Sequence, residues 1–329
     1  MGKLKNNRIK NVEINRIANI GILILLMCVA TAVNKSFLSV SNLLGILEQN
    51  SAKGVMALGA TFVLISGGID LSMENGLTMM AVTASLLHIS AGEHPLVLIL
   101  LCILIGAMVG AVNGFLISKL KLLPFVATLG MMTICKGITH WSSEGKIMFL
   151  QSKTVSFIGR GKVFNVIPFQ TIVLILMAIL AAVILYRTSL GTSTYALGSN
   201  EEAAKYIGIN TALQKFKVYV LNGSFIGVAA LLTVSRVGQI SPNLGSGSMM
   251  DAIAAAVIGG TSTMGGRGSI GGTLIGILII GVLINALTFM NVPVNAQSAI
   301  KGIVILFAIV ADALFASVQR RKKKVNDVV

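Results

Sequence analysis

Long apolar runs separated by short polar connections fill almost the whole chain. The runs fall at 17–33, 51–69, 77–89, 95–120, 125–141, 167–186, 218–234, 251–260, 270–290 and 297–316. A helix that crosses a bilayer needs about 20 mostly apolar residues. Most of these runs approach that length, whereas 51–69 is rather short and 251–260 is very short. Residues 37–49 alternate polar and apolar positions and read as an interfacial segment outside the membrane. Ala30-Thr31-Ala32 resembles a signal-peptidase site, but so many later runs favour an uncleaved first helix. The pattern predicts an all-α polytopic membrane bundle of about ten transmembrane segments, two of them short and broken.

The two short runs are related. Val63-Leu64-Ile65-Ser66-Gly67-Gly68-Ile69-Asp70 resembles Ala256-Val257-Ile258-Gly259-Gly260-Thr261-Ser262. Each is a short apolar run, a Gly pair and a polar connector before another apolar run. A pair of Gly-interrupted segments in corresponding positions points to a substrate pathway. Non-helical backbone at membrane depth must face protein or water. Gly67, Gly68, Asp70, Ser72, Asp251, Gly259 and Gly260 are therefore candidate pathway residues. The plain alternative is a tight turn between two slightly short helices. Gly106, Gly110 and Gly114 recur every four residues in 95–120, so they share one helix face that a neighbouring helix can approach closely.

The longest polar segment between strongly apolar runs in the second half is 187–217. Ser199 is placed to cap a short helix there. Glu201 and Glu202 fall in its first turn, where the helix dipole favours negative charge. Ala203 and Ala204 continue it, and Gly208 ends it in a left-handed conformation. The segment reads as a helix of about two turns held between two loops. It suits docking into a groove of another protein, or it is a solvated loop with one helical turn.

Charge refines the picture. The 329 residues are 55% hydrophobic, only 11% charged, and have mean hydropathy +0.88. A soluble domain carries about 25% charged residues. The net charge is +15, but much of it lies in two tails. Lys3, Lys5, Arg8, Lys10 and Arg16 precede the first apolar run, and Arg320 to Lys324 follow the last. Such tails mark the cytoplasmic side and sit against anionic lipid headgroups. An even number of spans puts both there. The domains are then a basic tail 1–16, a transmembrane unit 17–317 containing loop 187–217, and a basic tail 318–329. Against this threading, Lys146, Lys153, Arg160 and Lys162 fall in an outer loop, 142–166. Aromatics are 5% and do not interleave with the basic residues, which excludes a nucleic-acid surface.

Candidate chemistry is sparse. Cys28, Cys102 and Cys135 lie in apolar runs without metal-ligand spacing, and the histidines form no cluster. Gly266-Arg267-Gly268-Ser269-Ile270-Gly271 formally matches a dinucleotide fingerprint, but it enters a span and follows no strand. No GxxxxGK[ST] occurs, so ATP is not bound in a P-loop of this chain. No nucleophile–base pair, cofactor site or metal site is expected. Asp70 reads equally as a pathway carboxylate or a helix cap, and Asp251 as a water-facing cap at a helix start. Lys136 and Lys301, inside spans, read as snorkelling to the headgroups. Proton coupling would need a partner carboxylate that their own stretches lack.

Four stretches together resemble the permease subunits of bacterial ribose/galactose/xylose-type ABC importers, within the branched-chain amino-acid and ribose permease family. They are Gly59 to Ser72 (GATFVLISGGIDLS), Pro124 to Thr133 (PFVATLGMMT), Tyr195 to Ala204 with Gly208-Ile209-Asn210, and Asp251 to Ser262 with Gly265 to Gly268. The chain departs from the family pattern at Met73-Glu74-Asn75, which adds a charge. It departs again at Met250, where an acidic residue is usual. The resemblance implies a permease in the bacterial inner membrane that moves a sugar-like solute inward. It implies two cytoplasmic ATPase subunits, an extracytoplasmic sugar-binding protein and a second permease copy, identical or not. It also implies that Gly198, Asn200, Glu201, Ala203, Ala204 and Gly208 form the ATPase-coupling loop. The alternative is a carrier driven by an ion gradient, without partner ATPases.

Overall fold

The computed structural model describes residues 19–90, 94–150, 152–307 and 310. The tails expected at 1–16 and 318–329, and the end of the last expected span, lie outside the described residues. Helices dominate. In chain order they are α1 (Asn19–Val33), α2 (Val40–Ile65), α3 (Met73–Ser90), α4 (Pro95–Ser118), α5 (Pro124–Ser143), α6 (Lys153–Arg160) and α7 (Phe169–Arg187). Then come α8 (Ser189–Ser199), α9 (Glu201–Tyr206), α10 (Thr211–Val237), α11 (Ser248–Ile258), α12 (Ile270–Phe289) and α13 (Val294–Phe307). Two antiparallel two-residue ladders pin the loops. Met148–Phe149 pairs with Gln239–Ile240, and Lys162–Val163 with Ile167–Pro168. Among the described residues, α4, α7, α10 and α12 are long and apolar enough to cross a membrane.

Local chemistry sets the helix ends. Pro95 and Pro124 open α4 and α5 at the first turn, where a missing N–H costs nothing. The Asn210 side chain accepts from the Leu213 N–H at 3.0 Å to start α10, and Gly238 at φ +72° ends it. In the outer loop expected at 142–166, α6 lies across the end of α10. There Arg160 Nε donates to the Arg236 carbonyl at 2.7 Å and Nη2 to that of Val237 at 2.8 Å. A guanidinium on the last carbonyls of a helix is favourable. One of the basic residues that sat awkwardly with the charge rule is thus used as a helix cap.

The core centres on α2 and α10. Helix α10 packs most extensively against α4. Added Cβ atoms at Gly106 and Gly110 would run into the backbone of Gly223 and Tyr219 on α10. The glycine face read from the sequence is the helix–helix contact it was expected to be. Phe62, Phe225, Met56, Leu58 and Tyr219 fill the interior.

One sequence expectation is corrected. Residues 37–49 are not a separate interfacial segment, and the following run is not short. A 3-10 turn at Lys35–Leu38 leads into α2, a single 26-residue helix capped by Ser39. The polar positions that broke the apolar pattern have partners inside the fold. Asn42 and Asn285 exchange amide hydrogen bonds at 3.0 and 3.1 Å, and Asn50 Nδ2 donates to the Ile46 carbonyl at 2.8 Å.

Candidate functional site

The related short runs end in the same backbone geometry. After α2, Gly67 takes φ +80°; its N–H donates to Leu64 O at 2.9 Å and that of Gly68 to Val63 O at 3.0 Å. After α11, Gly260 takes φ +90°; its N–H donates to Val257 O at 2.8 Å and that of Thr261 to Ala256 O at 2.9 Å. Both are helix ends closed by a left-handed glycine with paired return bonds. The sequence repeat is therefore a structural repeat. Gly68 and Gly259 are the residues just after and just before these left-handed positions.

Beyond the first break lies a buried polar cluster. Asp70 is 4% exposed and Ser72 1%. One Asp70 oxygen accepts from the Ser72 N–H at 2.9 Å and the Ser72 hydroxyl at 2.6 Å; the other accepts from Asn222 Nδ2 at 2.8 Å. Asn113 Nδ2 donates to Ser72 Oγ at 2.9 Å, and the Tyr219 hydroxyl to the Ile69 carbonyl at 2.9 Å. Asp70 thus fixes the turn just before α3 through Ser72 and ties the break to α10 through Asn222 and, by way of Ser72, to α4 through Asn113. A buried carboxylate surrounded by donors costs far less than a bare one. Asn113 and Asn222 were not singled out in the sequence. Their signal was an amide isolated within an apolar run, which needs a partner inside the bundle.

Asp251 overturns its expected role. It sits in the first turn of α11, but it is 1% exposed and no water-facing cap. Lys53 Nζ of α2 and Lys301 Nζ of α13 each lie 2.7 Å from one of its oxygens. Lys301 therefore does not snorkel. Its carboxylate partner comes from another helix, which a search within its own stretch could not find. Lys53 was overlooked; a lysine inside an apolar run is itself the signal, since it demands a counter-charge. The stretch before α11 is non-helical and folds against α3, with the Gly245 N–H donating to Thr78 Oγ1 at 3.0 Å.

Segment 187–217 differs from the expected helix between loops. One extended residue, Asn200, separates α8 from α9 and caps α9 in place of Ser199. Asn200 Oδ1 accepts from the Ala203 N–H at 3.0 Å. Ser199 ends α8. Gly208 takes the expected left-handed conformation, φ +83°. Ala204 is buried and Ala203 exposed, while Tyr206 and Ile207 project at 89% and 73% exposure. Gly198 points inward: a Cβ there would be driven into the Ile65 carbonyl oxygen and lie 2.6 Å from the Gly266 nitrogen. That nitrogen already donates to Ile65 O at 2.8 Å. The Tyr195 hydroxyl donates to the Gly268 carbonyl at 2.7 Å. The end of α8 thus touches both broken segments, one through Ile65 and the other through Gly266.

Glu201 fastens α9 to α10 through Lys215, Nζ to Oε2 2.7 Å. Burial alone raises its carboxyl, but the Lys215 hydrogen bond and the charges of Lys215 and Lys205 outweigh it and hold the group below its ordinary range. A depressed folded-state value gives stability that is present above the ordinary carboxylate pKa and lost as pH falls through the lowered one. The pair is partly exposed, so its contribution is below about 1 kcal/mol. Amide-exchange protection of 201–206, corrected for intrinsic rates, is expected to hold from neutral pH through the ordinary carboxylate range and to drop only below it. Protection already lost near neutrality would contradict the role of Glu201.

Among the described residues no group of three or more His, Cys, Asp or Glu is placed to hold a metal ion. Residues 42–309 match the family described as branched-chain amino acid transport system / permease component. The chain is 40% identical over 292 residues to the ribose import permease protein of Bacillus subtilis (strain 168), covering 88% of this chain and 90% of that one. It is 36% identical over 295 residues to the ribose import permease protein of Escherichia coli (strain K12), covering 88% and 91%. It is 33% identical over 316 residues to the galactose/methyl galactoside import permease protein of Salmonella typhimurium, covering 89% and 92%. No solved structure matches. With a family match over residues 42–309 and relatives aligned over most of its length, the chain belongs to the branched-chain amino acid transport system / permease component family.

Proposed function

We propose that this chain is the membrane-spanning permease subunit of an ATP-driven importer that moves a sugar or sugar-like solute into the cell. Separate cytoplasmic ATPase subunits energise it, an extracytoplasmic sugar-binding protein delivers the solute, and a second permease copy completes the pathway. About ten segments cross the inner membrane, with both termini cytoplasmic. The names of the relatives support the solute class. The observation that carries the mechanism is the position of α8 and α9. Their outer end presents Tyr206 and Ile207, and Gly198 at their junction abuts Ile65 before the first break and Gly266 in the connector after the second. Exposed aromatic and aliphatic side chains are anchors for a groove on a partner. A movement of α9 driven by ATPase closure reaches Gly67 and Gly260 through one stem and switches access between the two sides.

Tagged full-length chain purified from native membranes in detergent is expected to bring a P-loop ATPase with it. The double variant Tyr206→Ser, Ile207→Ser is expected to lose most of that ATPase while still inserting in the membrane. Truncating such anchors costs about 2 kcal/mol or more each. Undiminished co-purification by the double variant would remove α9 as the dock. Transport by the chain alone under an ion gradient would overturn the importer reading.

A further inference from the structure

A polar cavity of about 160 Å³ lies between α2, the end of α10 and α12. Roughly 10–15 Å³ holds one water, so the space takes a group of several heavy atoms. Arg236, Lys53 and Gln49 stand in its wall beside Asn50, Asn285 and Thr288. Most of these polar groups are already engaged. Asn50 donates to the Ile46 carbonyl, Asn285 to Asn42 and Thr288 to the Ile284 carbonyl. Lys53 holds Asp251. Arg236 is different. Its backbone carbonyl takes the Arg160 bond. Among the described residues, however, its guanidinium has no hydrogen-bond partner and no carboxylate within ion-pair distance.

The charge balance around the cavity is positive. Glu48 and Arg160 are the charges that act on Arg236 from nearby, and Glu48 does not line the cavity. On the other side, Lys53 and Lys301 share the single carboxylate of Asp251. Four cations thus stand against two carboxylates. A half-buried guanidinium offers five donors and no acceptor, so in these surroundings it calls for an anion. Its planar fork matches a phosphate, whose oxygens take two parallel N–H bonds. Depth in the membrane agrees. Helix α10 starts beside α9, where Lys215 meets Glu201, and Arg236 lies in its last turn. Its 27 residues of helix are about 40 Å long, more than the ~30 Å hydrocarbon core. Arg236 therefore sits at headgroup level in the leaflet opposite α9.

We propose that this cavity binds a phosphate group, carried either by a phospholipid headgroup or by a small water-soluble phosphate ester. Arg236 is its main ligand and Gln49 a second donor. Ile46 and Ile284 form the apolar wall, against which the glycerol carbons of either source rest. The site requires only that α10 crosses the bilayer, and it is independent of which solute is moved and of what drives the movement. A bound phosphate neutralises Arg236 and joins α2, α10 and α12 at the end away from α9.

Full-length chain, purified in detergent and freed of lipid by exchange, is titrated by native mass spectrometry with three probes. They are dimyristoylphosphatidylglycerol, dimyristoylglycerol (the same acyl chains without phosphate) and glycerophosphate. Saturable binding of a phosphate-bearing probe, one per chain, is expected, with little binding of the diacylglycerol. Arg236→Gln is expected to weaken it about tenfold or more, the effect of losing a hydrogen bond to a charged group. Arg236→Lys keeps the charge and is expected to retain intermediate affinity. Ile284→Trp fills the cavity without touching a charge and is expected to abolish binding. Arg187→Gln, on α7 at the opposite end of the fold, is expected to bind as the unaltered chain does. Saturation by phosphatidylglycerol alone identifies a lipid site, and saturation by glycerophosphate identifies a site for the soluble ester. The assignment is overturned if neither phosphate binds, if the diacylglycerol binds equally well, or if Arg236→Gln or Ile284→Trp leaves the affinity unchanged. A loss in Arg187→Gln as large as that in Arg236→Gln would overturn it too, by showing attraction to overall charge.

Discussion

Asp251→Ala is expected to destabilise the folded chain by about 3–5 kcal/mol, the cost of stranding buried charge when one member of an ion-pair cluster is removed. Lys53 and Lys301 both lie 2.7 Å from this carboxylate, and its side chain is 1% exposed. Without it, two ammonium groups face each other unpaired, their side chains only 30% and 19% exposed. The effect has a specific signature. Adding Lys53→Met and Lys301→Met to Asp251→Ala removes the stranded charges, and replacing a buried ionic cluster with apolar groups of similar size is often neutral or better. The triple variant is therefore expected to recover most of the lost stability, a non-additivity that only coupled residues show. Thermal denaturation of the purified chain in detergent measures both. An unchanged midpoint in Asp251→Ala would show that the cluster holds nothing together. A triple variant as unstable as the single one would place the loss in α11 itself.

Gly198→Val is expected to separate ATP hydrolysis from transport. Any side chain there is forced into the Ile65 carbonyl oxygen and against the Gly266 nitrogen, two backbone atoms that are hydrogen-bonded to each other at 2.8 Å. Backbone on both sides leaves no flexible side chain to yield, so the end of α8 must shift away from one or both breaks. Overpacking of this kind costs about 1–3 kcal/mol, which is local damage rather than unfolding. The docking end, Tyr206 and Ile207, remains. In reconstituted complexes the ATPase is expected to stay bound and turn over while uptake falls to background. Gly137→Val serves as the control, because nothing lies within 4 Å of a Cβ there. Uptake by Gly198→Val equal to that of the control would dismiss the stem as the link between α9 and the breaks.

Residues near in sequence, or constrained by the membrane itself, were legible from the chain alone. The apolar runs are visible because each crossing must supply its own apolar length. The two breaks are visible because a left-handed helix end favours glycine, so the conformation of Gly67 and Gly260 is suggested by their identity. The same holds for Gly208. The α4–α10 contact was half legible: Gly106 and Gly110 announced a close approach, but not that Gly223 and Tyr219 would meet them. The tertiary structure alone decided everything that pairs distant residues. A carboxylate finds its counter-charge by proximity in space, and no spacing rule links Asp251 to a lysine 198 residues earlier and to another on α13. Residues 37–49 read as interfacial because polar and apolar positions alternate there, and only the fold brings Asn42 against Asn285 of α12. The placement of Gly198 was undecidable for the same reason. Glycine at a loop reads as freedom to turn, and only the packed backbone of Ile65 and Gly266 makes it a close contact between two halves of the molecule.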